Sequence, residues 1–396
     1  MDFLKRTWAE INLDALKQNY QAIRDTVRPE TEICWVVKAD AYGHGAVFVA
    51  RTLERMGAKW FAVSNIEEAE QLRSGGVAGA ILILGYTPPE MAERLSCLCV
   101  SQAVFSKDYG EELQRYAQEA EVTVKVHLKV DTGMSRIGFL YQDSQRDAVS
   151  VEEMEAVCRL PNLEHEGIFT HFAVSDDGKP GSGYTKEQFD NFMDCVEKLQ
   201  QRGITFRYRH CANSGAVCDY PEMHLDMVRP GVIIYGLNPS GVLRNPLPLK
   251  PVMELKTIIS MLKTVETNTT VSYGREFAAS RKTTLATVPI GYADGYPRKL
   301  HNCADMLVNG HRARVVGRVC MDQLMLDVTD IDDVKTGMTV TVFGKDGAEM
   351  LSVDELAKLN ETINYEMICI VGKRVPRVFL EDGKPVGSLN YICPTT

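Results

Sequence analysis

The apolar run Ile33-Cys34-Trp35-Val36-Val37 ends on one lysine, Lys38, within the stretch VVKADAYGHG, which also carries Tyr42, His44 and two glycines. An amine at the end of a buried strand is partly desolvated. Desolvation disfavours the ammonium, lowers its pKa and gives a nucleophile able to form a Schiff base. The competing reading is a lysine that snorkels from the strand end into water. Other polar side chains follow apolar runs in the same way. Lys129, Asp131 and Arg136 close or follow residues 124–130, His171 follows 165–170, His210, Asn213 and Ser214 close or follow 206–210, and Arg229 closes 227–229. Each alone fits a hydrogen-bonded structural residue. Their shared position, at the ends of strands, points to one polar rim.

The elements that must build such a rim recur along the first 245 residues. Short apolar runs at 33–37, 60–63, 80–84, 98–104, 124–130, 165–170, 206–210 and 227–229 are expected strands, with residues 231–235 following the last. Amphipathic stretches at 13–27, 46–56, 66–74, 109–120, 151–160 and 185–202 are expected helices, the first capped by Asn12. Eight strands with helices between them predict an α/β fold, a (β/α)8 TIM-type barrel whose active site lies at the C-terminal strand ends. An open doubly wound sheet would carry a glycine-rich loop after its first strand, where VVKADAYGHG stands instead. Proline-rich residues 245–251 mark a boundary. Domains are expected at 1–245, the barrel, and 246–396, a mainly antiparallel β-domain. In the second, Asn309-Gly310, Asp346-Gly347 and Asp382-Gly383 are hairpin turns, and Ser352 to Glu355 is a capping box.

Barrels of this kind hold phosphate after strands seven and eight. Asn213-Ser214-Gly215 and Pro230-Gly231-Val232 are small-residue loops at those places, with backbone N–H groups and the Ser214 hydroxyl as donors. A strand-one lysine, a phosphate cup and Arg229 between them suggest pyridoxal 5'-phosphate: the lysine for the aldehyde, the cup for the phosphate, the arginine for the pyridine nitrogen.

The blocks VVKADAYGHG, DTGMSRIG, THFA, HCANS, VRPGVIIYGL, VSYG, GYADGY and GRVCMDQ occur here in the order in which they stand in alanine racemases, and the chain resembles that family over essentially its whole length. The resemblance implies a pyridoxal-phosphate enzyme interconverting L- and D-alanine, with D-alanine supplied to peptidoglycan. It implies a homodimer with shared sites. Lys38 would bind the cofactor and serve as base on one face, and Tyr273 of the partner copy as acid/base on the other. A free tyrosine has a pKa of about 10, so cations must favour its ionised form, and His171 and Arg229 are the candidates. Tyr42, Ser214, Gly231, Val232 and Tyr365 match phosphate-site residues. Asn213 and His171 join the cofactor-binding set. Arg136 matches a residue contacting cofactor and substrate carboxylate, and Met321 a main-chain contact to that carboxylate from the partner copy. Lys129 matches a lysine carbamylated in many members, and His210 would buttress Arg229. Tyr292, Arg298, Arg318 and Asp322 resemble the entrance. Tyr365 within Asn364-Tyr365-Glu366 favours alanine over serine. A racemase of broader specificity, or a related amino-acid decarboxylase using Cys320 or Cys369, is the rival reading.

The net charge of −9 argues against a nucleic-acid partner. No apolar run reaches the roughly 20 residues that cross a membrane, and the N-terminal residues lack a signal-peptide core. Eleven cysteines without a C-x-x-C pair fit reduced thiols in a cytoplasm, and no metal-ligand spacing occurs.

Overall fold

The computed structural model describes residues 4–393. Residues 1–3 and 394–396, included in the expected domain limits, lie outside it. The chain divides into two compact units. One comprises Lys17–Ala41 and Ala46–Lys250; the other comprises residues up to Leu16, Tyr42–Gly45, and residues from Pro251 on.

The first unit is a (β/α)8 barrel. Its parallel strands run in the order Met227–Val228, Glu32–Val36, Trp60–Val63, Ala80–Ile83, Val100–Val104, Val124–Asp131, Leu163–Phe169 and Tyr208–His210. Asp226 N–H to Arg209 O (3.2 Å) and Arg229 N–H to Ala212 O (2.8 Å) bring the last strand back to the first. The runs are apolar because both faces are covered, by barrel side chains inside and by helices outside. Phe61, Ala62, Val126, Leu128, Ile168 and Phe169 are buried accordingly. Helices begin where a side chain can take the first free N–H groups. Asn65 accepts from Glu68 N (3.0 Å) and Ser106 from Tyr109 N (3.2 Å). Residues 232–235, expected to follow the eighth strand, form a single 3-10 turn closed by Gly236 in the left-handed region.

The second unit is built on one sheet, in which Met261–Val265, Thr283–Val288, Leu324–Asp327, His311–Val316, Asp305–Val308, Thr339–Asp346, Met253–Ile258, Thr7–Asn12, Arg377–Glu381 and Lys384–Leu389 are successive neighbours. Pairing is antiparallel except for Thr7–Asn12 beside Arg377–Glu381. That N-terminal strand had no expected counterpart. Only six residues long, with Ala9 and Ile11 inward, it carries too little alternation to stand out. Asn309-Gly310 and Asp382-Gly383 form two-residue hairpin turns with positive φ throughout, while the third turn is shifted by one residue to Gly347-Ala348, Asp346 still pairing with Glu349 in the ladder. Ser352 caps the helix Val353–Leu359, accepting from Glu355 N at 3.1 Å.

Candidate active site

The first barrel strand hands the chain to a turn with unusual backbone. Ala39, Asp40, Ala41 and Tyr42 have φ of 52°, 55°, 55° and 53°, followed by Gly43 at 82°. A left-handed turn costs roughly 1–2 kcal/mol per non-glycine residue, so the surroundings must hold it. In the barrel unit Ala39 N donates to Glu68 Oε1 (2.7 Å), Ala46 N donates to Asp40 Oδ1 (2.9 Å), and Ala41 N donates to Val37 O (2.8 Å). In the β-unit Arg377 Nε donates to Gly43 O (2.8 Å), and a Cβ at Gly43 would lie 2.6 Å from Ile368 O. Lys38 therefore sits at the junction of a strand and a braced turn. The strand itself is pinned to the eighth-strand loop by Val36 N–H to Pro230 O (3.0 Å) and by Tyr235 Oη to Val36 O (2.9 Å).

The barrel rim gathers cations. Lys129 is almost wholly buried, and its amine is pushed down to about 7 by burial first, then by Arg136 and Arg229 and, more weakly, Lys38; Asp131 pulls the other way. Asp131 Oδ1 already accepts from Gly133 N (3.0 Å) and Ser135 N (2.9 Å). Lys129 and Arg136 make no hydrogen bond or ion pair among the described residues, and no carboxylate there pairs with Arg229. Arg229 is buried and donates to His210 Nδ1 (2.8 Å), Thr170 O (2.7 Å) and Cys211 O (3.3 Å). Its guanidinium lies over the Phe169 ring, 5.2 Å from the centroid. His171 Nδ1 is 3.4 Å from Arg229 Nη2. Burial, with Arg229, Arg136, Lys129 and Lys38 nearby, holds His171 well below the usual imidazole range. It is neutral near pH 7, so of the two cations expected to act on Tyr273 it is the unsuitable one. Basic side chains around one neutral histidine make a site suited to an anion.

The expected phosphate cup is tied together: Gly231 N donates to Ser214 Oγ at 2.8 Å. Asn213 serves a different end. Its Oδ1 caps the following turn at Ala216 N (3.1 Å) and accepts from Ser175 Oγ (2.7 Å), so it positions Ser214. In the β-unit Tyr42 faces Tyr365 with ring centroids 6.0 Å apart, and burial pushes the Tyr42 phenol far up, which keeps it a donor.

Other expected residues form a second group in the β-unit. Tyr273, 67% exposed, leaves the strand Thr270–Val271 through Ser272 at φ 66°, ψ −174°, a region normally left to glycine. Ser272 Oγ donates to Arg318 O (2.6 Å), and Arg318 packs over Gly274 while pairing with Glu276. Tyr292 N donates to Cys320 O (3.1 Å) and Ala293 N to Met321 O (3.0 Å), which ties the Tyr292 and Met321 turns together. Asp322 takes Arg374 at 2.8 Å, and Arg298 is exposed. Sequence reasoning missed Asp294, the buried anchor of this group. It accepts from Gly291 N (3.0 Å) and pairs with Arg6 (2.5 Å) and Arg374 (3.3 Å). It also missed Arg377, which donates to Gly43 O, 334 residues away in the sequence, as well as to the nearby Val371, Gly372 and Val375 carbonyls.

A (β/α)8 barrel with a cationic rim at its strand ends, joined to a sheet domain that presents exposed aromatic turns, is the plan of a two-domain enzyme. Models of the alanine racemase N-terminal domain and C-terminal domain match residues 11–239 and 252–379. An alanine racemase of Desulforamulus reducens is 48% identical, covering 94% of this chain and 98% of that protein. The alanine racemase structure from Clostridium difficile 630 superposes with a TM-score of 0.93 at 38% identity, covering 99% of this chain and all of that one. An alanine racemase structure from Bartonella henselae, with covalently bound pyridoxal phosphate, gives 0.84 at 29% identity over 95% of this chain and 99% of that one. The chain belongs to the alanine racemase family, and is an isomerase acting on amino acids.

Proposed function

We propose that the enzyme interconverts L- and D-alanine with pyridoxal 5'-phosphate, by a two-base mechanism whose site is shared between two copies of the chain. The observation that carries this reading is the gathering of Lys38, Lys129, Arg136 and Arg229 around a neutral His171. The donor set fits the cofactor: cationic charge for its phosphate and phenolic oxygen, a hydroxyl and backbone N–H groups in the cup, and an arginine for its ring nitrogen. When bound, the cofactor supplies the electron-withdrawing ring that acidifies the substrate Cα–H.

The protein's own groups divide the remaining work. Lys38 Nζ would hold the cofactor and serve as the base that takes or returns the α-proton on one face. Tyr273 Oη, from a second copy, does the same on the other face. Its exposure in a single chain, on a strained turn, supports a role completed across a dimer. Tyr42 and Tyr365, with Ser214, Gly231 and Val232, hold the phosphate, and Asn213 sets Ser214. Arg136, with the Met321 N–H of the second copy, orients the substrate carboxylate. Arg229 can only donate, so a ring nitrogen held against it would stay unprotonated. That would make the bound ring a weaker electron sink and favour return of the proton to Cα. A buried amine neutral near pH 7 is the form that reacts with carbon dioxide, so Lys129 carries a carbamate opposite Arg136. Tyr292, Arg298, Arg318 and Asp322 line the entrance. No helix among the described residues is long and apolar enough to cross a membrane. A cytoplasmic enzyme supplying D-alanine for peptidoglycan fits this reading.

Incubation with L-alanine and pyridoxal phosphate, with chiral detection of D-alanine, tests it; serine, lysine and glutamate run in parallel. D-alanine formation lost in Lys38→Ala is expected. Release of carbon dioxide from lysine without racemisation would replace this reading with the decarboxylase.

A further inference from the structure

We infer that Glu166, in the middle of its barrel strand, is a positioning residue for Arg229 and acts on it through His127 and His210. The catalytic part of this inference rests on the role proposed above for Arg229; the geometry does not.

The connection runs through the barrel interior. Arg229 Nη1 lies 2.8 Å from His210 Nδ1, His210 Nε2 lies 2.9 Å from His127 Nδ1, and His127 Nε2 lies 3.5 Å from Glu166 Oε2. Its direction follows from the donor inventory. An arginine only donates, so His210 Nδ1 is the bare nitrogen and the neutral ring carries its proton on Nε2. That N–H donates to His127 Nδ1, which leaves the His127 proton on Nε2, facing the carboxylate. Both rings are fully buried, and burial lowers both below the usual imidazole range. Ser101 Oγ donates to the same Glu166 oxygen, and Lys125 Nζ stands 3.6 Å from the other. The arginine, which has no direct carboxylate partner among the described residues, thus faces one through two imidazoles, the last step being a 3.5 Å charge contact rather than a formed hydrogen bond.

Two backbone features serve this arrangement. Val126 pairs with His165 and His127 with Gly167, so Glu166 is an extra residue, a bulge in a parallel pair. Bulges re-aim a side chain, and here the carboxylate is brought within reach of the ring. At Gly167 a Cβ would lie 2.3 Å from His127 Nδ1, so only glycine leaves room for the imidazole. Aromatic walls fix both rings: Phe169 stacks on His210 with centroids 4.9 Å apart, and Trp60 meets the His127 ring at 5.8 Å. A histidine that only filled the core would need neither the bulge nor the glycine.

The test uses holoenzyme labelled with ¹⁵N-histidine and long-range ¹H–¹⁵N correlation to read the tautomers. Both rings are expected neutral with the proton on Nε2. Glu166→Gln keeps an acceptor oxygen but removes the charge. It should retain both tautomers and lower kcat for alanine about 10-fold, the low end for a partner behind a site group, with KM nearly unchanged. Glu166→Asp should recover part of the loss. Glu166→Leu removes the acceptor and should move the His127 proton to Nδ1 or leave the ring exchanging. A proton on Nδ1 of either ring in the unsubstituted enzyme overturns the relay, whether or not any variant folds. So does an unchanged kcat in Glu166→Gln. If the enzyme racemises no amino acid, the tautomers still decide the relay while the function proposed above fails separately.

Discussion

Lys129 is an amine that the fold makes uncomfortable. Its pKa falls from an ordinary lysine value to about 7, through burial and then the cations Arg136 and Arg229. In cofactor-free protein both the folded and the unfolded states are charged below pH 7, and the folded one bears the cost. Between about 7 and the ordinary value of about 10.4 the unfolded chain binds the extra proton, so stability rises with pH across that window. Lys129→Met removes the charge with little change of shape. It should stabilise the cofactor-free protein at pH 6, on the order of a few kcal/mol, and the gain should shrink steadily toward pH 10. Thermal melts at several pH values read this directly. A gain independent of pH would mean that packing, not charge, sets the effect. Intact mass under gentle conditions adds a second check: one carbon dioxide on the native enzyme, absent from Lys129→Met.

At the scale of elements, the turn after Lys38 carries most of the consequence. Gly43 has φ +82°, and its missing Cβ leaves room for Ile368 O. Gly43→Ala would add a left-handed alanine and a contact of 2.6 Å with a backbone atom. A loss of about 2–4 kcal/mol in stability is expected, with weaker cofactor binding, because Tyr42 is the preceding residue and Tyr365 lies on the helix that must shift. Denaturant titration and cofactor titration should move together. If affinity is untouched while stability falls, the turn is structural only. The turn also marks where local pattern stopped being informative. Lys38 at a strand end was legible, because an apolar run and a terminal lysine are local. The left-handed turn was not: nothing in Ala39-Asp40-Ala41 announces positive φ, and its braces, Glu68 and Arg377, lie 29 and 334 residues from their partners. The barrel rhythm, Asn12, Ser352 and the Asn-Gly and Asp-Gly hairpins were legible for the same reason of locality. The strand Thr7–Asn12 was hidden because its neighbours come from positions 253–257 and 377–380. The helix Asn364–Cys369 escaped because six residues hold too few turns to show a period.

The whole molecule adds a constraint that neither unit carries alone. If each site takes Lys38 from one copy and Tyr273 from another, a two-fold dimer has two mixed sites. Lys38→Ala and Tyr273→Phe would each lose nearly all activity as homodimers. Mixed and reassociated, they form heterodimers in which one site has both substitutions and the other has neither. With random exchange, half the dimers are mixed and half of their sites are intact, so about one quarter of the unsubstituted activity should return. Exchange can be followed independently, by native mass spectrometry of differently tagged copies, so a missing recovery can be traced. Heterodimers without recovered activity would place both bases in the same copy and leave the exposed Tyr273 unexplained. Recovery that tracks the heterodimer fraction would tie catalysis to assembly. Dilution below the dimer affinity should then inactivate the enzyme while the barrel, whose strands and rim are complete within one chain, remains folded.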